Sequence, residues 1–214
     1  MTSPQQLQTL AAQMNVSLTP EQAQRLLHYL ALLQKWNRVY NLSAIRDPET
    51  MLVKHILDSL AVVPSVAKWH PNSLIDVGTG AGLPGIPLAI VFPNLKIALL
   101  DSNVKKTRFL VQAKAELGLG NVEVCHQRVE DHQCQYDIVI SRAFTALDNF
   151  VRLTDTLLTE KGVWLAMKSQ NLNEELTALP EVYRVQHTQA LQIPQLDAQR
   201  CVVTLTRQGD GAHG

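Results

Sequence analysis

The fold is decided by one ten-residue stretch, which reads Asp76-Val77-Gly78-Thr79-Gly80-Ala81-Gly82-Leu83-Pro84-Gly85. A short apolar run, Leu74–Val77, leads into the glycines, and an apolar segment of helical length, Leu83–Phe92, follows them. A buried strand that passes through a glycine-rich turn into a helix is typical of doubly wound α/β folds. The stretch therefore predicts a ligand-binding turn at the carboxyl end of a strand.

Strands and helices alternate along the chain after this unit. We predict strands at 97–101, 122–124, 136–141 and 162–167, and helices at 104–117, 147–158 and near 174–179. This alternation indicates an α/β fold with a mostly parallel sheet and helices on both faces. The last two predicted strands, 183–193 and 200–206, follow each other directly, so they predict an antiparallel terminal hairpin at the sheet edge.

The first seventy residues carry helical signals instead. Thr19–Gln22 has a cap residue, a proline at the first helical position and a glutamine that completes a capping box. Asp47–Glu49 starts a second helix in the same way. We therefore expect a helical N-terminal extension at 1–70, a ligand-binding domain at 71–208 and a frayed tail at 209–214.

Composition excludes several broad classes. The chain has 214 residues with 19 Lys+Arg and 19 Asp+Glu, 46% hydrophobic residues and 18% charged residues. Such a chain can bury a core, and it is not a disordered polyelectrolyte. Zero net charge excludes a partner held by bulk electrostatics alone, so any phosphate contacts must come from a local basic patch.

Cellular location is also constrained by the sequence. Cys125, Cys134 and Cys201 form no C-x-x-C pair, and the seven histidines show no metal-ligand spacing, so we expect reduced thiols and no metal. The N-terminus lacks a signal-peptide profile. The longest continuous apolar stretch, around Ile86–Phe92, is far short of a membrane span. These features predict a soluble, cytoplasmic protein without a membrane partner.

The glycine stretch fits two kinds of ligand. Counted from Gly80 it matches the G-x-G-x-x-G dinucleotide fingerprint, and counted from Asp76 it matches the D-x-G-x-G-x-G loop that holds S-adenosylmethionine. The Asp76 carboxylate would repel a pyrophosphate but suits a ligand with an amino group and a sulfonium. Asp101, at the end of the next strand, can accept hydrogen bonds from ribose hydroxyls in either case. S-adenosylmethionine is therefore favoured, and a dinucleotide is a more distant alternative.

Several segments around the loop add a specific resemblance. They are Lys35–Asn37, Tyr40–Leu42, Arg46–Pro48, His55–Ser59, Asp76–Pro87, Leu99–Ser102 and Ile140–Phe144. Together they resemble the glucose-inhibited division protein B family, which comprises bacterial methyltransferases for N7 of a guanine in small-subunit ribosomal RNA. The resemblance runs from about Leu26 to Arg207, which is nearly the whole chain.

The resemblance implies the class I methyltransferase (Rossmann-like) fold and S-adenosyl-L-methionine as the cofactor. It implies a cofactor pocket built from Gly78, Gly80, Gly82, Leu83, Asp101, Val129, Glu130 and Arg142. In this pocket Asp101 would lie near the ribose, and Val129 and Glu130 would flank the adenine. Arg142 would position the methionine part or the incoming base. No general base is expected, because N7 of guanine carries a free lone pair and no proton.

Residues that contact RNA are harder to assign. The densest basic cluster is Lys105, Lys106 and Arg108, whose alternative role is a solvated helix face. Lys168 follows a strand and could instead form a salt bridge. Further candidates are Asn41, Arg46 and His55, of which His55 lies on an apolar helical face and fits a buried core histidine better. Trp36 and Tyr40, four residues apart, fit packing between helices better than stacking on bases.

The leading hypothesis is methylation of N7 of a guanine in 16S ribosomal RNA, by a monomer that recognises folded RNA or an assembling small subunit. One alternative is a small-molecule methyltransferase of the same fold, for which the N-terminal extension would act as a lid. Another is an RNA-binding or ribosome-assembly module that lacks activity. Transfer of the methyl group to RNA would distinguish the first hypothesis from the others.

Overall fold

The computed structural model describes residues 2–169 and 172–208. Its helices are α1 Pro4–Ala12, α2 Pro20–Tyr40, α3 Pro48–Met51, α4 Asp58–Leu60, α5 Val63–Ala67, α6 Gly85–Val91, α7 Val104–Glu116, α8 Leu147–Thr154 and α9 Leu172–Thr177. Its strands are β1 Ser73–Val77, β2 Lys96–Asp101, β3 Val122–His126, β4 Tyr136–Arg142, β5 Leu158–Lys168, β6 Tyr183–Ala190 and β7 Cys201–Arg207. A π-helical turn, Leu52–Leu57, joins α3 to α4, and 3-10 turns cover Val129–Asp131 and Asp155–Leu157.

The strands form one seven-stranded sheet in the order β3-β2-β1-β4-β5-β7-β6. The first five are parallel, and β7 runs antiparallel between β5 and β6. The predicted parallel sheet and terminal hairpin are therefore confirmed. β2 lies on one side of β1 and β4 lies on the other, so the strand order reverses at β1. Ligands of open α/β sheets bind at such a reversal.

The helix starts follow the capping signals in the sequence. Thr19 accepts a hydrogen bond from the amide of Gln22, whose side chain accepts one from the Thr19 amide, so the predicted capping box is present. Asp47 caps α3 through the Thr50 amide. These caps satisfy backbone donors that the first turn of a helix leaves without partners.

The largest difference from the predicted boundaries lies between α8 and β5. The helix expected to reach Leu158 ends at Thr154, and β5 begins at Leu158, four residues before the predicted strand. Thr154 accepts a hydrogen bond from the indole of Trp164 while its own hydroxyl bonds back to the Phe150 carbonyl. These side-chain bonds to Thr154 and the low helix propensity of Asp155 and Thr156 end the helix early.

The N-terminal helices pack into the same apolar core as one face of the sheet. That core joins Leu7 of α1 and Leu26 of α2 to Ile97 of β2 and Val202 of β7. A second apolar cluster, around Trp164 and Phe150, covers the other face of the sheet. The helical extension is thus held against the sheet by buried apolar surface, and the boundary at residue 70 stays a prediction.

Among the described residues, the helical run Pro48–Ala67 is long and apolar enough to cross a membrane by length and composition. In the structure 78% of its most apolar window is buried inside the protein, and core helices have the same composition. Lys54, His55 and Asp58 interrupt this run, so it is not a continuous apolar stretch in the sequence.

Candidate functional site

Two adjoining cavities lie at the carboxyl ends of the parallel strands. The first, of about 380 Å³, lies among the ends of β1 and β2, the turn after β3 and the loop after β4. The second, of about 560 Å³, lies between the glycine loop and the π-helical turn. Gly78, Lys106 and Ala143 line both cavities, so the two form one continuous site.

The three glycines of the loop have positive φ angles but different surroundings. A Cβ atom on Gly80 would meet only two atoms, each 3.9 Å away, one of them Nζ of Lys106 in the cavity wall. A Cβ on Gly78 would lie 2.5 Å from the ring of Phe144, and one on Gly82 would lie 2.6 Å from Ile86. Gly78 and Gly80 therefore border the site, whereas Gly82, predicted to bind the cofactor, lets α6 pack closely and lines neither cavity.

Asp76 holds the glycine loop through hydrogen bonds on its buried side. Its Oδ2 atom accepts hydrogen bonds from the Thr79 hydroxyl at 2.6 Å and the Gly85 amide at 2.8 Å, and the side chain is fully buried. Its Oδ1 atom has no partner within the described residues, and burial raises the pKa of this carboxyl to about 7. Asp76 lines neither cavity, because its side chain lies beneath the glycine loop.

Asp101 lies where the sequence predicted it. Its Oδ2 accepts a hydrogen bond from the Gly80 amide at 2.9 Å, its Oδ1 accepts one from Asn103, and both oxygens retain lone pairs for a ligand. Val129 and Glu130, in the turn after β3, line the same cavity as Asp101. Leu83, also predicted, is nearly buried and lines the second cavity.

Arg142 is held by a charge network that sequence reasoning missed. Its Nη1 donates to Oδ2 of Asp58 at 2.8 Å and to the Lys54 carbonyl at 2.8 Å. Arg200 donates to the other oxygen of Asp58 at 3.2 Å. Asp58 is 3% exposed, so this carboxylate is a buried anion that fixes two arginines at the cavity wall. The only sequence signal for Asp58 was an acidic residue inside an apolar helix.

His55 is both buried and at the site. Its Nε2 lies 2.8 Å from the Ser43 hydroxyl, its Nδ1 has no partner in the described part of the chain, and the ring lines the second cavity. Burial, followed by the charge of Arg142, lowers the pKa of His55 to about 4. The imidazole is therefore neutral at neutral pH.

The predicted RNA-contacting residues separate into two groups. Lys106, Lys168 and His55 line the second cavity. Nζ of Lys106 lies 3.8 Å from Asp101, and Lys168 forms a salt bridge of 2.7 Å with Glu175. The others, all exposed on the surface and outside both cavities, are Asn41, Arg46, Lys105 and Arg108.

Two further residues, for which the sequence analysis assigned no role, contribute to the site. The buried Tyr29 hydroxyl of α2 donates a hydrogen bond of 2.6 Å to the Ala81 carbonyl, so the N-terminal block holds the loop directly. Burial raises the pKa of this phenol far above its usual value. Ala143 has a φ of 54°, a strained conformation for a residue with a Cβ, and it lies where the two cavities meet.

Within residues 2–169 and 172–208, no group of three or more His, Cys, Asp or Glu side chains could hold a metal ion.

Comparison with known proteins identifies the family. The family model described as rRNA small subunit methyltransferase G (GidB) matches residues 22–203. The chain is 55% identical over 185 residues to "Ribosomal RNA small subunit methyltransferase G" of Hydrogenovibrio crunogenus, covering 86% of this chain and 84% of that protein. It is 48% identical to the protein of the same name from Pseudomonas paraeruginosa, with 92% of each chain covered.

Solved structures share the fold at much lower identity. Ribosomal protein L11 methylase from Lactobacillus delbrueckii subsp. bulgaricus has a TM-score of 0.55 and 14% identity, covering 72% of this chain and 77% of that one. M. jannaschii TYW2 in complex with AdoMet has a TM-score of 0.51 and 17% identity, covering 68% and 75%. The fold is thus that of class I methyltransferases, and the chain belongs to the rRNA small subunit methyltransferase G family of rRNA methyltransferases.

Proposed function

We propose that this protein transfers a methyl group from S-adenosyl-L-methionine to N7 of one guanine in 16S ribosomal RNA. The observation that carries the proposal is the continuous site at the reversal of the strand order, in a chain whose relatives are named for rRNA methylation. One cavity has the lining expected for a nucleoside, and the other opens toward basic side chains.

The first cavity fits the adenosine part of the cofactor. Asp101 lines this cavity and retains acceptors for ribose hydroxyls. The Gly80 amide donates to Asp101, and the open space over Gly80 in the adjoining second cavity admits a ligand that any side chain would exclude. Val129 supplies an apolar wall and Glu130 a polar rim for an adenine. When bound, S-adenosylmethionine supplies an electrophilic methyl group on a sulfonium.

The second cavity supports the methyl-accepting step without an acid–base residue. N7 of guanine is a free nucleophile, so the chain has to orient the base and exclude water. Asp58 and the Lys54 carbonyl occupy Nη1 of Arg142, and its Nη2 and Nε have no partner within residues 2–169 and 172–208. A bidentate contact of arginine to O6 and N7 would block the nucleophile, so we assign Arg142 to O6 or to a phosphate.

Neutral His55 adds no positive charge to this cavity. A protonated imidazole would oppose the positive charge that develops on the guanine as the methyl group arrives. The low pKa of His55 keeps the ring uncharged over the physiological range. Its role in this proposal is to form part of the wall that excludes water.

The finer points of the substrate belong to the same proposal. We infer a folded RNA site, free or in an assembling small subunit, and a monomeric cytoplasmic enzyme. A chain with zero net charge binds RNA through few phosphate contacts, which favours recognition of shape over bulk attraction.

The test uses labelled S-adenosylmethionine with 16S RNA and with small subunits that lack the modification. We expect label on N7 of a single guanine, located by cleavage at the modified base and by mass spectrometry. Transfer to metabolites but never to RNA would contradict the proposal, as would RNA binding without any affinity for the cofactor.

A further inference from the structure

The charges of this neutral chain are segregated along the sequence. Residues 22–46 and 102–115 contain no Asp or Glu, although the chain has 19 of them. Each segment holds four basic residues, so eight of the 19 Lys+Arg lie in these segments. Zero net charge thus conceals a positive region, which is the pattern expected where a neutral protein contacts phosphates.

Both segments come together in space because α2 and α7 pack antiparallel. Arg25, near the start of α2, donates to the Leu117 carbonyl just after α7. Farther along α2, the Trp36 ring lies 5.7 Å from the Phe109 ring in the first half of α7. The C-terminal turns of α2 therefore lie beside the N-terminal turns of α7, next to the carboxyl end of β2.

The basic side chains at these two helix ends are free to bind an anion. Lys35 and Arg38 on α2 and Lys105 and Arg108 on α7 are all exposed. Among the described residues none of their side chains forms a salt bridge or a hydrogen bond. Cations in the first turns of α7 also oppose the helix dipole, which makes them unfavourable for stability alone.

Apolar and aromatic side chains are exposed on the same two helices. The described part of the chain has seven notably exposed large hydrophobic residues. Four of them lie here: Val39 and Tyr40 at the end of α2, and Val104 and Val111 on α7. Tyr40 stacks on Trp36 at 5.1 Å and is still 41% exposed, so it can present a ring edge beside cations, an arrangement typical of RNA-binding surfaces.

We propose that Lys35, Arg38, Lys105 and Arg108 form a docking surface for the phosphate backbone of the substrate RNA. This inference rests on the proposed function and adds the site that holds the RNA outside the pocket. Lys106, one residue from Lys105, lines both cavities, so the docking surface is continuous with the site that receives the guanine. That continuity favours the substrate backbone over an acidic protein as the occupant.

The decisive variant is the double charge reversal Lys35→Glu/Arg38→Glu, because neither residue lines a cavity. Its matched control is Lys68→Glu/Lys96→Glu, which changes the charge equally at two exposed positions near the amino ends of β1 and β2. A third variant, Lys35→Arg/Arg38→Lys, keeps the charge. For all three variants, calorimetry measures the affinity for S-adenosylmethionine, and filter binding at several salt concentrations measures the affinity for 16S RNA.

We expect the reversal to raise the Kd for RNA at least about tenfold and to reduce the salt slope by about 2. Cofactor affinity and kcat at saturating RNA should be unchanged, and the control and the conservative swap should bind RNA as the wild type does. Equal RNA affinity and salt slope in the reversal would overturn the docking surface. So would normal binding to naked RNA with loss of methylation only on particles, since that result assigns the surface to a ribosomal protein. If the wild type methylates no guanine but the reversal loses RNA affinity, the proposed function fails and the docking surface stands.

Discussion

The first cavity takes its lining from segments that follow one another along the sheet, whereas the second joins residues from distant parts of the chain. Gly78, Asp101 and Glu130 lie after three consecutive strands. Asp58 and Arg200, in contrast, are 142 residues apart and meet through a side-chain hydrogen bond. The first cavity depends on backbone geometry near each strand end, and the second depends on docking of the helical block and the terminal hairpin onto the sheet.

The largest expected effect comes from filling the space over the glycine loop, where Gly80 lines the second cavity next to Lys106, which lines both cavities. Gly80→Val places a side chain in the open space beside Lys106 at a φ of 63°. We expect the Kd for S-adenosylmethionine to rise by about 100-fold or more, equivalent to about 3 kcal/mol. Backbone strain should also lower the free energy of unfolding by about 1–2 kcal/mol. Calorimetry and urea denaturation measure the two effects.

Gly118→Val separates these two effects. Gly118 has a φ of 61°, nearly that of Gly80, but nothing lies within 4 Å of its added Cβ and it follows α7 away from the site. This variant should lose similar stability and keep normal cofactor affinity. A comparable loss of affinity in both variants would show that strain, and not a filled pocket, causes the effect.

The second expected effect concerns the side-chain charges of the second cavity. Asp58→Asn removes the anion that fixes Arg142 and Arg200 while it keeps the size of the side chain. We expect kcat to fall about 10-fold to 100-fold, because Arg142 is no longer held in place. The free energy of unfolding should fall by about 2 kcal/mol with the loss of a charged hydrogen bond. Cofactor affinity should change little, and single-turnover kinetics would show this division.

Asp155→Asn provides the matched comparison for Asp58→Asn. Asp155 accepts a hydrogen bond of 3.0 Å from Arg207, but the side chains of this pair are 41% and 32% exposed and lie away from both cavities. Its loss should cost less than about 1 kcal/mol and leave methyl transfer intact. If Asp58→Asn reduced kcat no more than Asp155→Asn does, Asp58 would have no positioning role.

The effect that is smallest at neutral pH is a pH dependence of stability, to which His55 of the second cavity contributes. The pKa of His55 falls from 6.5 to about 4 on folding, so its contribution to stability is complete above pH 6.5 and is lost as the pH falls toward 4. His55→Gln lacks this titration. As the pH falls through this window, its free energy of unfolding should therefore rise relative to that of the wild type by about 1.4 kcal/mol per pH unit.

Asp76 changes the free energy of unfolding with pH in the opposite direction to His55. Its pKa rises from 3.8 to about 7 on folding, so its stabilising contribution is complete below pH 3.8 and is lost as the pH rises through 7. The two groups partly cancel in the wild type, and His55→Gln exposes the Asp76 contribution. Urea denaturation between pH 4 and 7 measures it, and parallel profiles for the two proteins would contradict the assignment.

Most of the fold could be predicted because its signals are local. The parallel direction of the first five strands follows from alternation, and Thr19 and Asp47 marked the helix starts through their capping chemistry. The early end of α8 could not be predicted, since the Trp164 indole that bonds Thr154 comes from another element. Tertiary contacts decided that boundary over local propensity.

The first cavity was likewise largely predictable, and the second was not. Asp101, Val129 and Glu130 line the first cavity because each follows a predicted strand. Arg200 and Tyr29 carried no motif, and Asp58 had no assigned role. The roles of all three come from contacts across 52 to 142 positions in the sequence. The position of Asp76 beneath the loop could not be predicted either, because strand alternation alone does not show on which side of the loop a carboxylate lies.

The placement of β7 has a consequence for synthesis of the protein on the ribosome. This strand follows β6 in the sequence but lies inside the sheet, between β5 and β6, and Arg200 directly precedes it. A nascent chain can form the glycine loop and its partner strands early, because domains begin to fold from their N-terminal parts during translation. The Asp58 network is complete only when β7 has emerged, so cofactor affinity should arise before catalytic competence as the chain is made.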